Sequence, residues 1–523
     1  MGHSIAPEGP HTITFHFPGW DSMVPFRRGD PQLMSKLTSI YPRFAPFFEA
    51  KQLMESLHSF LNLDPETGCL AFVEPSTEEV VRKWATAPKR GDFRIEEGEL
   101  GFRWVDCEGV VVTVATFPKG KARAVVGVWQ VHGIGISTRL SVELLGRREQ
   151  WREVGGLDGK GLEEGPGHRG VRERVAELVG GTVGEGDVFL TGTGMAGIYG
   201  VLRTVAKARG GVVVALGAIF HSSWHMFEER EGGFKHFGDV GQGLVDKLEE
   251  WLPGKEVAMV FLEFPSNPIL ESADLVGLRR LATKYNFPLV VDDTIGSFAN
   301  IDVLPAADVI VTSLTKSFSG YANVMAGSVV FNPTSPLYVS LKATYTSLFT
   351  NIFFAGDADV LLANSKDYLP RSKILNRNAL ALATLFHNDT QSPNAVVTKS
   401  LYPPFSTTIA NFKQFQRKPT DEFPEPGYGC LLSADFKSEK VARAFYETIQ
   451  FHQGPHLGAH ETLAMNFNEA IWGDNKELAA YQASFGLLPT QIRFSVGLES
   501  VETLVDTVEE ALEAARRANV DAA

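Results

Sequence analysis

With 523 residues, 44% of them hydrophobic, and a mean hydropathy of -0.04, the chain is long enough for two or three domains and too apolar to be disordered. A formal net charge of -13 without a basic stripe argues against a nucleic-acid binder, and Cys69, Cys107 and Cys430 are too scattered for a zinc site or a disulfide framework. No apolar run reaches membrane-spanning length, the first ten residues lack the parts of a secretory signal, and Ala6 stands where an N-myristoylation pattern has Ser or Thr, so a cytoplasmic enzyme is expected.

Residues 1–50 are rich in Pro, Phe and His, show no periodicity and read as an irregular arm. A helix is expected over Thr77 to Ala85, and alternating β-like runs over Val110 to Phe117 and Ala124 to Val131. Residues 155–170 hold seven glycines in sixteen positions, which suggests a flexible connection and a domain boundary. Beyond residue 170 strands and helices alternate. Val188 to Thr191 is a strand, followed by a helix with Met195, Ile198, Leu202 and Val205 on one face that ends at Gly210 and Gly211. The runs Val212 to Leu216, Ala258 to Glu263, Pro288 to Asp292 and Asp308 to Thr312 are continuously apolar, as strands covered on both faces are, and a helix with Leu275, Leu278, Ala282 and Tyr285 on one stripe lies among them. A further apolar run extends from Val324 to Phe331. The fold class expected is α/β with a mainly parallel sheet, followed by a smaller α+β part closed by a helix over Val501 to Arg517 with Ser500 as N-cap. The domains expected are an N-terminal arm and accessory region over 1–170, a major domain over 171–365 and a small C-terminal domain over 366–523.

In such sheets ligands bind at the carboxyl ends of the strands. Thr191-Gly-Thr-Gly-Met195 opens a helix there, so Gly194 and Met195 form an anion seat or else a plain tight turn. The loop from Glu263 to Pro268 presents Asn267 between two prolines, as a positioned amide or simply in a rigid turn. Asp292 and Asp293 follow a buried strand, where a carboxylate needs a cationic partner; Asp293 is the better helix-capping candidate. Lys316 sits among the hydroxyls of Ser313 and Thr315, either in a structural ion pair or as an imine-forming amine. Phe220, in GAIFHSSW, offers a ring face for stacking. Taken together, a phosphate seat, a carboxylate for a protonated ring nitrogen and an imine-forming lysine are the protein groups that pyridoxal phosphate (PLP) requires. A dinucleotide is the poorer fit, because TGTGMAG departs from GxGxxG.

SLTKSFSGYANVMAGSVVFNP resembles the lysine signature of the Cys/Met-metabolism PLP enzymes of fold type I. VVDDTIGSFANIDVLPAADVIVTSLTK, FLEFPSNPIL, TGTGMAGIYGV, WQVHGIGISTRLSVELL, QGPHLGAHETLA and IRFSVGLES are similar to the fungal cystathionine γ-synthase branch, in the family's order, over most of residues 125–510. The resemblance implies that Lys316 forms the Schiff base and moves protons, that Asp292 pairs with the pyridine nitrogen, and that Gly194, Met195, Ser313 and Thr315 hold the phosphate. It also implies that Arg493 binds the substrate α-carboxylate, and that Tyr41 and Arg43 reach the phosphate of a neighbouring subunit in a homo-oligomer. Glu263, Tyr321, His456 and Thr462 are expected on the substrate side.

The chemistry that the resemblance implies is γ-replacement on an O-acyl-homoserine through a vinylglycine-type ketimine, with a thiol or a carbon nucleophile such as a β-keto acid as second substrate. A γ- or β-lyase would share the same cofactor residues, whereas a non-catalytic paralogue is expected to lose Lys316 or Asp292. Three departures from the branch pattern bear on the second substrate. Phe220 replaces a Tyr, GYANV replaces Gly-Asp-Ser-Asn-Val, and His456, His460 and Glu461 stand where small or apolar groups are usual.

Overall fold

A computed structural model describes residues 2–5, 8–157, 159–241 and 243–520; Ala6 of the acylation pattern and Asp158 of the glycine-rich stretch lie outside the described residues. Three sheets run in chain order. The first is antiparallel, with β1 (Thr67–Phe72), β2 (Gly101–Cys107), β3 (Val111–Pro118) and β4 (Trp151–Val154) in the order β1-β3-β2-β4. The Thr77–Ala85 helix expected from the sequence is present. The strand expected over Ala124 to Val131 is instead the helix Ala122–His132. Its buried residues Val125, Val128, Trp129 and His132 follow helical spacing, and the interleaved valines imitate an alternating strand.

The second sheet has seven strands: β5 (Val188–Thr191), β6 (Val212–Leu216), β7 (Phe234–Phe237), β8 (Val257–Glu263), β9 (Leu289–Asp292), β10 (Val309–Thr312) and β11 (Gly327–Phe331). Their order is β5-β11-β10-β9-β8-β6-β7, parallel except for β11, which is antiparallel to both neighbours. The apolar runs are continuous because successive residues feed two different cores. Val213, Ala215, Met259 and Phe261 join the core that contains the helix Gly194–Ala208, while Val214, Leu216, Val260 and Leu262 join that of the helix Leu275–Tyr285. The run from Val324 becomes a strand only at Gly327.

The third sheet is mixed, with β12 (Val397–Leu401), β13 (Leu431–Phe436), β14 (His452–Gln453), β15 (Leu463–Asn466) and β16 (Gln491–Ser495) in the order β12-β13-β16-β15-β14. The closing helix Val501–Val520 has Ser500 as its cap, accepting from Thr503 N at 3.1 Å. In the glycine-rich stretch, Pro166 already opens the helix Pro166–Val179, so its later glycines serve packing rather than flexibility. A Cβ on Gly167 would lie 2.6 Å from the Asp359 backbone nitrogen. Among the described residues, no helix is long and apolar enough to cross a membrane.

Candidate active site

The carboxyl ends of β5, β8, β9 and β10 converge on one cleft. The helix Gly194–Ala208 begins there with Thr193 as N-cap, whose hydroxyl accepts from Ala196 N at 3.0 Å. That leaves the N–H groups of Gly194 and Met195 without partners inside the helix and aimed, with the positive end of its dipole, at whatever lies in front. Ser313 faces them: a Cβ on Gly194 would approach the Ser313 Cβ to 2.8 Å, so only glycine leaves the backbone open here. Thr315 is engaged differently from the expectation that it helps hold a phosphate. Its hydroxyl donates to Ala326 O at 3.1 Å and accepts from Ala326 N at 2.9 Å, fastening the lysine loop to the residue before β11.

Lys316 lies deep in the molecule yet keeps accessible surface, as a group lining a cleft does. No carboxylate among the described residues is within ion-pair distance, and its ammonium is shifted down by desolvation, with the Tyr41 hydroxyl opposing and the charges of Arg43 and Arg493 adding to the fall. Asp292, at the end of β9, accepts from Thr294 N at 3.0 Å, and burial raises its carboxyl to about 6. Asp293 turns away from the cleft. It is 2% exposed and accepts from Thr312 Oγ1 at 2.6 Å, so it ties β10 to the loop after β9 rather than capping a helix with its side chain, and burial pushes it up to about 8. Glu263 is level with Asp292 on the adjacent strand, and its carboxylate accepts from Phe220 N at 2.6 Å. Burial first, and the Asp292 charge second, raise its carboxyl well above the usual range. Glu263 thus positions the ring of Phe220 and is not free for the substrate contact expected of it.

Tyr41 and Arg43, expected at a neighbouring subunit's cofactor, stand over the lysine of their own chain. The Lys316 ammonium is 5.2 Å from the centre of the Tyr41 ring, and the Arg43 guanidinium is 5.3 Å from that ring and 5.4 Å from Phe220. Both side chains are buried, and Arg43 Nη1 donates to the Gln130 carbonyl.

Arg493 marks the substrate end. It is 3% exposed, donates through Nη2 to Pro455 O at 2.7 Å and lies 3.4 Å from Asn267 Oδ1, with no carboxylate among the described residues in ion-pair range. Burial brings the guanidinium down to about 10. A guanidinium buried at that depth without a carboxylate partner is suited to meet an anionic ligand. His456 is 3% exposed, neither ring nitrogen has a partner, and desolvation, Lys316 and Arg493 hold it neutral, well below the usual histidine range. It packs 6.1 Å from the Tyr41 ring. Of the rest of the expected cluster, His460 lies beside Tyr321, 6.0 Å between ring centres, and Glu461 is engaged elsewhere. Glu461 pairs with His452 at 2.7 Å, and Thr462 spends its hydroxyl on Glu499 at 2.9 Å and on Gly497 N, so it is structural rather than substrate-binding. Tyr321 donates to Asp367 beneath the guanidinium of Arg371.

Two groups escaped the sequence reading. His221 stacks beside Phe220, 4.4 Å between ring centres, with Nδ1 buried and unpartnered; nothing in the spacing of GAIFHSSW singles it out. Arg371 donates to the carbonyls of Ser317, Phe318 and Ser319 and so braces the loop behind Lys316 from 54 residues away, through a contact that no local pattern reveals.

The donor set suits pyridoxal phosphate: free helix N–H groups and a cation for the phosphate, Asp292 for the ring nitrogen, an unpaired lysine for the aldehyde. The sequence matches the Cys/Met metabolism PLP-dependent enzymes over residues 163–513. It is 29% identical to the cystathionine gamma-synthase-like enzyme iboG2 of Amanita muscaria, over 99% of this chain and 97% of that protein. Identity is 32% to the alanine racemase ungC of Aspergillus violaceofuscus, over 77% and 73%, and 35% to the cystathionine gamma-synthase of Neurospora crassa, over 54% and 44%. Among solved structures, cystathionine gamma synthase from Xanthomonas oryzae pv. oryzae in complex with cystathionine superposes with a TM-score of 0.56 at 25% identity, covering 68% of this chain and 87% of that one. The chain therefore belongs to the Cys/Met metabolism PLP-dependent enzymes and is a fold type I, cystathionine γ-synthase-like enzyme with pyridoxal 5'-phosphate as its cofactor.

Proposed function

We propose that the enzyme catalyses γ-replacement on an O-acyl-L-homoserine: the acyloxy group leaves Cγ and a second small nucleophile, a thiol or the carbon of a β-keto acid, takes its place. The observation that carries this reading is Arg493, a buried guanidinium without a carboxylate partner on the same cleft as Lys316, which suits the α-carboxylate of an amino acid whose amine must lie near that lysine.

When bound, pyridoxal phosphate supplies the electron sink that makes the C–H bonds near the substrate amine acidic. The chain's residues do the positioning and the proton transfers. The Gly194 and Met195 N–H groups, the Ser313 hydroxyl and Arg43 would hold the phosphate, Asp292 would keep the ring nitrogen protonated, and Phe220 would offer its ring for stacking. Lys316, with its ammonium already shifted down by burial, takes the proton from Cα and serves again at Cβ. Loss of the γ-ester as its acid opens Cγ to the nucleophile. His456, neutral and with both ring nitrogens free, donates its N–H to a keto acid's carbonyl. In this reading the protein is a homo-oligomeric, cytoplasmic enzyme of fungal amino-acid or secondary metabolism.

The alanine racemase relative favours a second reading, in which only the Cα proton is exchanged. Incubation with O-acetyl-L-homoserine plus cysteine and a β-keto acid at equal concentration, with products read by mass, separates the two. Acetate release with a cysteine or keto-acid adduct is expected. No acetate, together with deuterium uptake at Cα of alanine in D2O, would replace γ-replacement with racemisation.

A further inference from the structure

We propose that the chain carries a second ligand site outside the cofactor cleft: a cationic cleft with an apolar floor that takes a flat-ringed organic phosphate and is coupled to the lysine loop through Tyr368.

The cleft, of about 460 Å³, lies between the helix Pro166–Val179, the loop at Phe298, the start of the helix Tyr368–Thr390 and the segment 417–426. That volume is in the range of small-molecule sites. Its outer wall is a pinned loop. Gln416 Nε2 donates to Pro426 O and to Gly427 O at 3.0 Å, Thr420 N donates to Phe423 O at 3.1 Å, and the Phe423 ring is buried. Pro419, Pro424 and Pro426 restrict the chain further.

Four cations line the cleft, Arg174, Lys366, Arg417 and Lys418, against two carboxylates, Glu177 and Glu422, and none of the six forms an ion pair among the described residues. Arg417 gives Nε to the carbonyls of Phe298 and Ile301 and Nη2 to those of Leu178 and Val179, which leaves Nη1 free. Arg174 gives only Nη1, to Leu362 O at 2.8 Å and Ser365 Oγ at 2.5 Å. Neutral acceptors thus fix both guanidinium groups in place and leave each with charge and donors for an anion. A positive cleft on a chain of formal charge -13 draws anions to that one place. Leu178 and Leu369, partly exposed over the buried Phe298 and Tyr368, give it an apolar floor, so the ligand it fits has a flat apolar part beside its charge.

Tyr368 joins this cleft to the lysine loop. Its hydroxyl accepts from Ala299 N at 3.0 Å, and its ring is 5.4 Å from that of Phe318, two residues beyond Lys316. Arg371, in the next turn of the same helix, holds the carbonyls of Ser317, Phe318 and Ser319. A ligand that moves the first turn of this helix therefore moves the support of Lys316. The site is separate from the cofactor's and stands whichever reaction the enzyme performs.

The test titrates holoenzyme, freed of excess PLP, with AMP, phenyl phosphate, inorganic phosphate and adenosine by calorimetry. AMP or phenyl phosphate is expected to bind once per chain with a Kd below about 1 mM, and inorganic phosphate and adenosine at least about tenfold more weakly. Lys366→Glu combined with Lys418→Glu, both exposed positions, should weaken the tighter probe by about tenfold or more, with far-UV circular dichroism and PLP content unchanged. The bound probe should also change the rate at which diluted holoenzyme releases PLP by about twofold or more. Failure of both AMP and phenyl phosphate to saturate below about 1 mM, or undiminished binding by the double variant, would overturn the site. Inorganic phosphate bound as tightly as either would overturn the ligand class, and an unchanged rate of PLP release would overturn the coupling.

Discussion

Arg493 and Asp292 are opposite charges that the fold buries without pairing to each other, and each is shaped for a ligand group. Replacing Arg493 with Lys keeps the charge but loses the planar fork, so the α-carboxylate is bound through one contact instead of two. A loss of about 1.5–3 kcal/mol, roughly 10–100-fold in kcat/KM, is expected from the strength of charged hydrogen bonds. It should appear with little change in cofactor absorbance, measured by steady-state kinetics beside spectral titration. Asp292→Asn should act the other way round. An amide cannot hold the charge of a protonated ring nitrogen, so PLP affinity is expected to fall by an order of magnitude or more in fluorescence titration. Without the cofactor, the same carboxyl has a pH signature. Its folded value of about 6, and that of Asp293 near 8, lie above the unfolded value near 3.8. For these groups the unfolded state gains by ionising as pH rises through that window, so apoprotein stability contributed here is lost upward from about pH 4. Urea melts of apoprotein should show wild type losing more stability than Asp293→Asn between pH 5 and 8; equal slopes would contradict the assignment.

At the scale of elements, two glycines are required by close approach at a positive φ. Gly458 (φ +76°) would place a Cβ 2.4 Å from Ser317 N, directly behind Lys316, and Gly133 would strike Thr193. Gly133→Ala is expected to destabilise by roughly 1–3 kcal/mol through strain and the clash. It should also weaken PLP retention while leaving the C-terminal sheet intact, as hydrogen exchange can show segment by segment. Gly133 is legible in the sequence only as a helix terminator; that it also abuts the phosphate seat is a property of how two distant elements meet. Other elements were plain in the sequence for a physical reason. β6, β8, β9 and β10 are covered on both faces, so nearly every position is apolar and the run declares itself. The helix Ala122–His132 imitates a strand because its outer side carries only Arg123 and Gln130 as polar residues, with Val126 and Gly127 between them, too thin a polar face to reveal the period.

For the whole molecule, we propose the division into regions 1–170, 171–365 and 366–523, and two histidines, buried His132 and half-buried His236, sit at its joints. His132, of the N-terminal region, packs edge-on between Trp84 and Tyr199, and burial holds it down to about 3. His236, at the end of β7, meets the C-terminal region. The Gly217 carbonyl 2.8 Å from Nε2 requires a proton there, so Nδ1 accepts from the Tyr481 hydroxyl at 2.8 Å, and burial holds the ring down to about 4. Folded values below the unfolded 6.5 mean that the unfolded chain binds these protons first. Stability is full above pH 6.5 and is lost as pH falls toward 4 and 3, by up to about 1.4 kcal/mol per histidine per pH unit. Thermal melts from pH 7 to 4.5 should therefore drop steeply, and His236→Gln should flatten the slope; an unchanged slope would count against the joint. Limited proteolysis is expected to cut first in residues 155–165, before the helix Pro166–Val179, and to leave a fragment beginning near residue 160 that holds PLP poorly once it is separated from Arg43 and from the Gly133 carbonyl that anchors Thr193.

The strands of the central sheet, the glycine seat at Gly194, Asp292 after β9 and Lys316 after β10 were determined by the sequence itself. Each depends on local chemistry: apolar continuity, a glycine before a helix, a charge directly after a buried run. What only the tertiary structure decided was which of these groups remain free. It committed Thr315, Thr462 and Glu263 to internal partners, separated Glu461 from His456, left Arg493 without a carboxylate and His456 without any hydrogen-bond partner, and set Tyr41 and Arg43 over Lys316. Most of those contacts join different elements, and the longest spans 275 residues, from Tyr41 to Lys316. A side chain's identity states what it can bond to, and only the packed chain states what has already bonded to it.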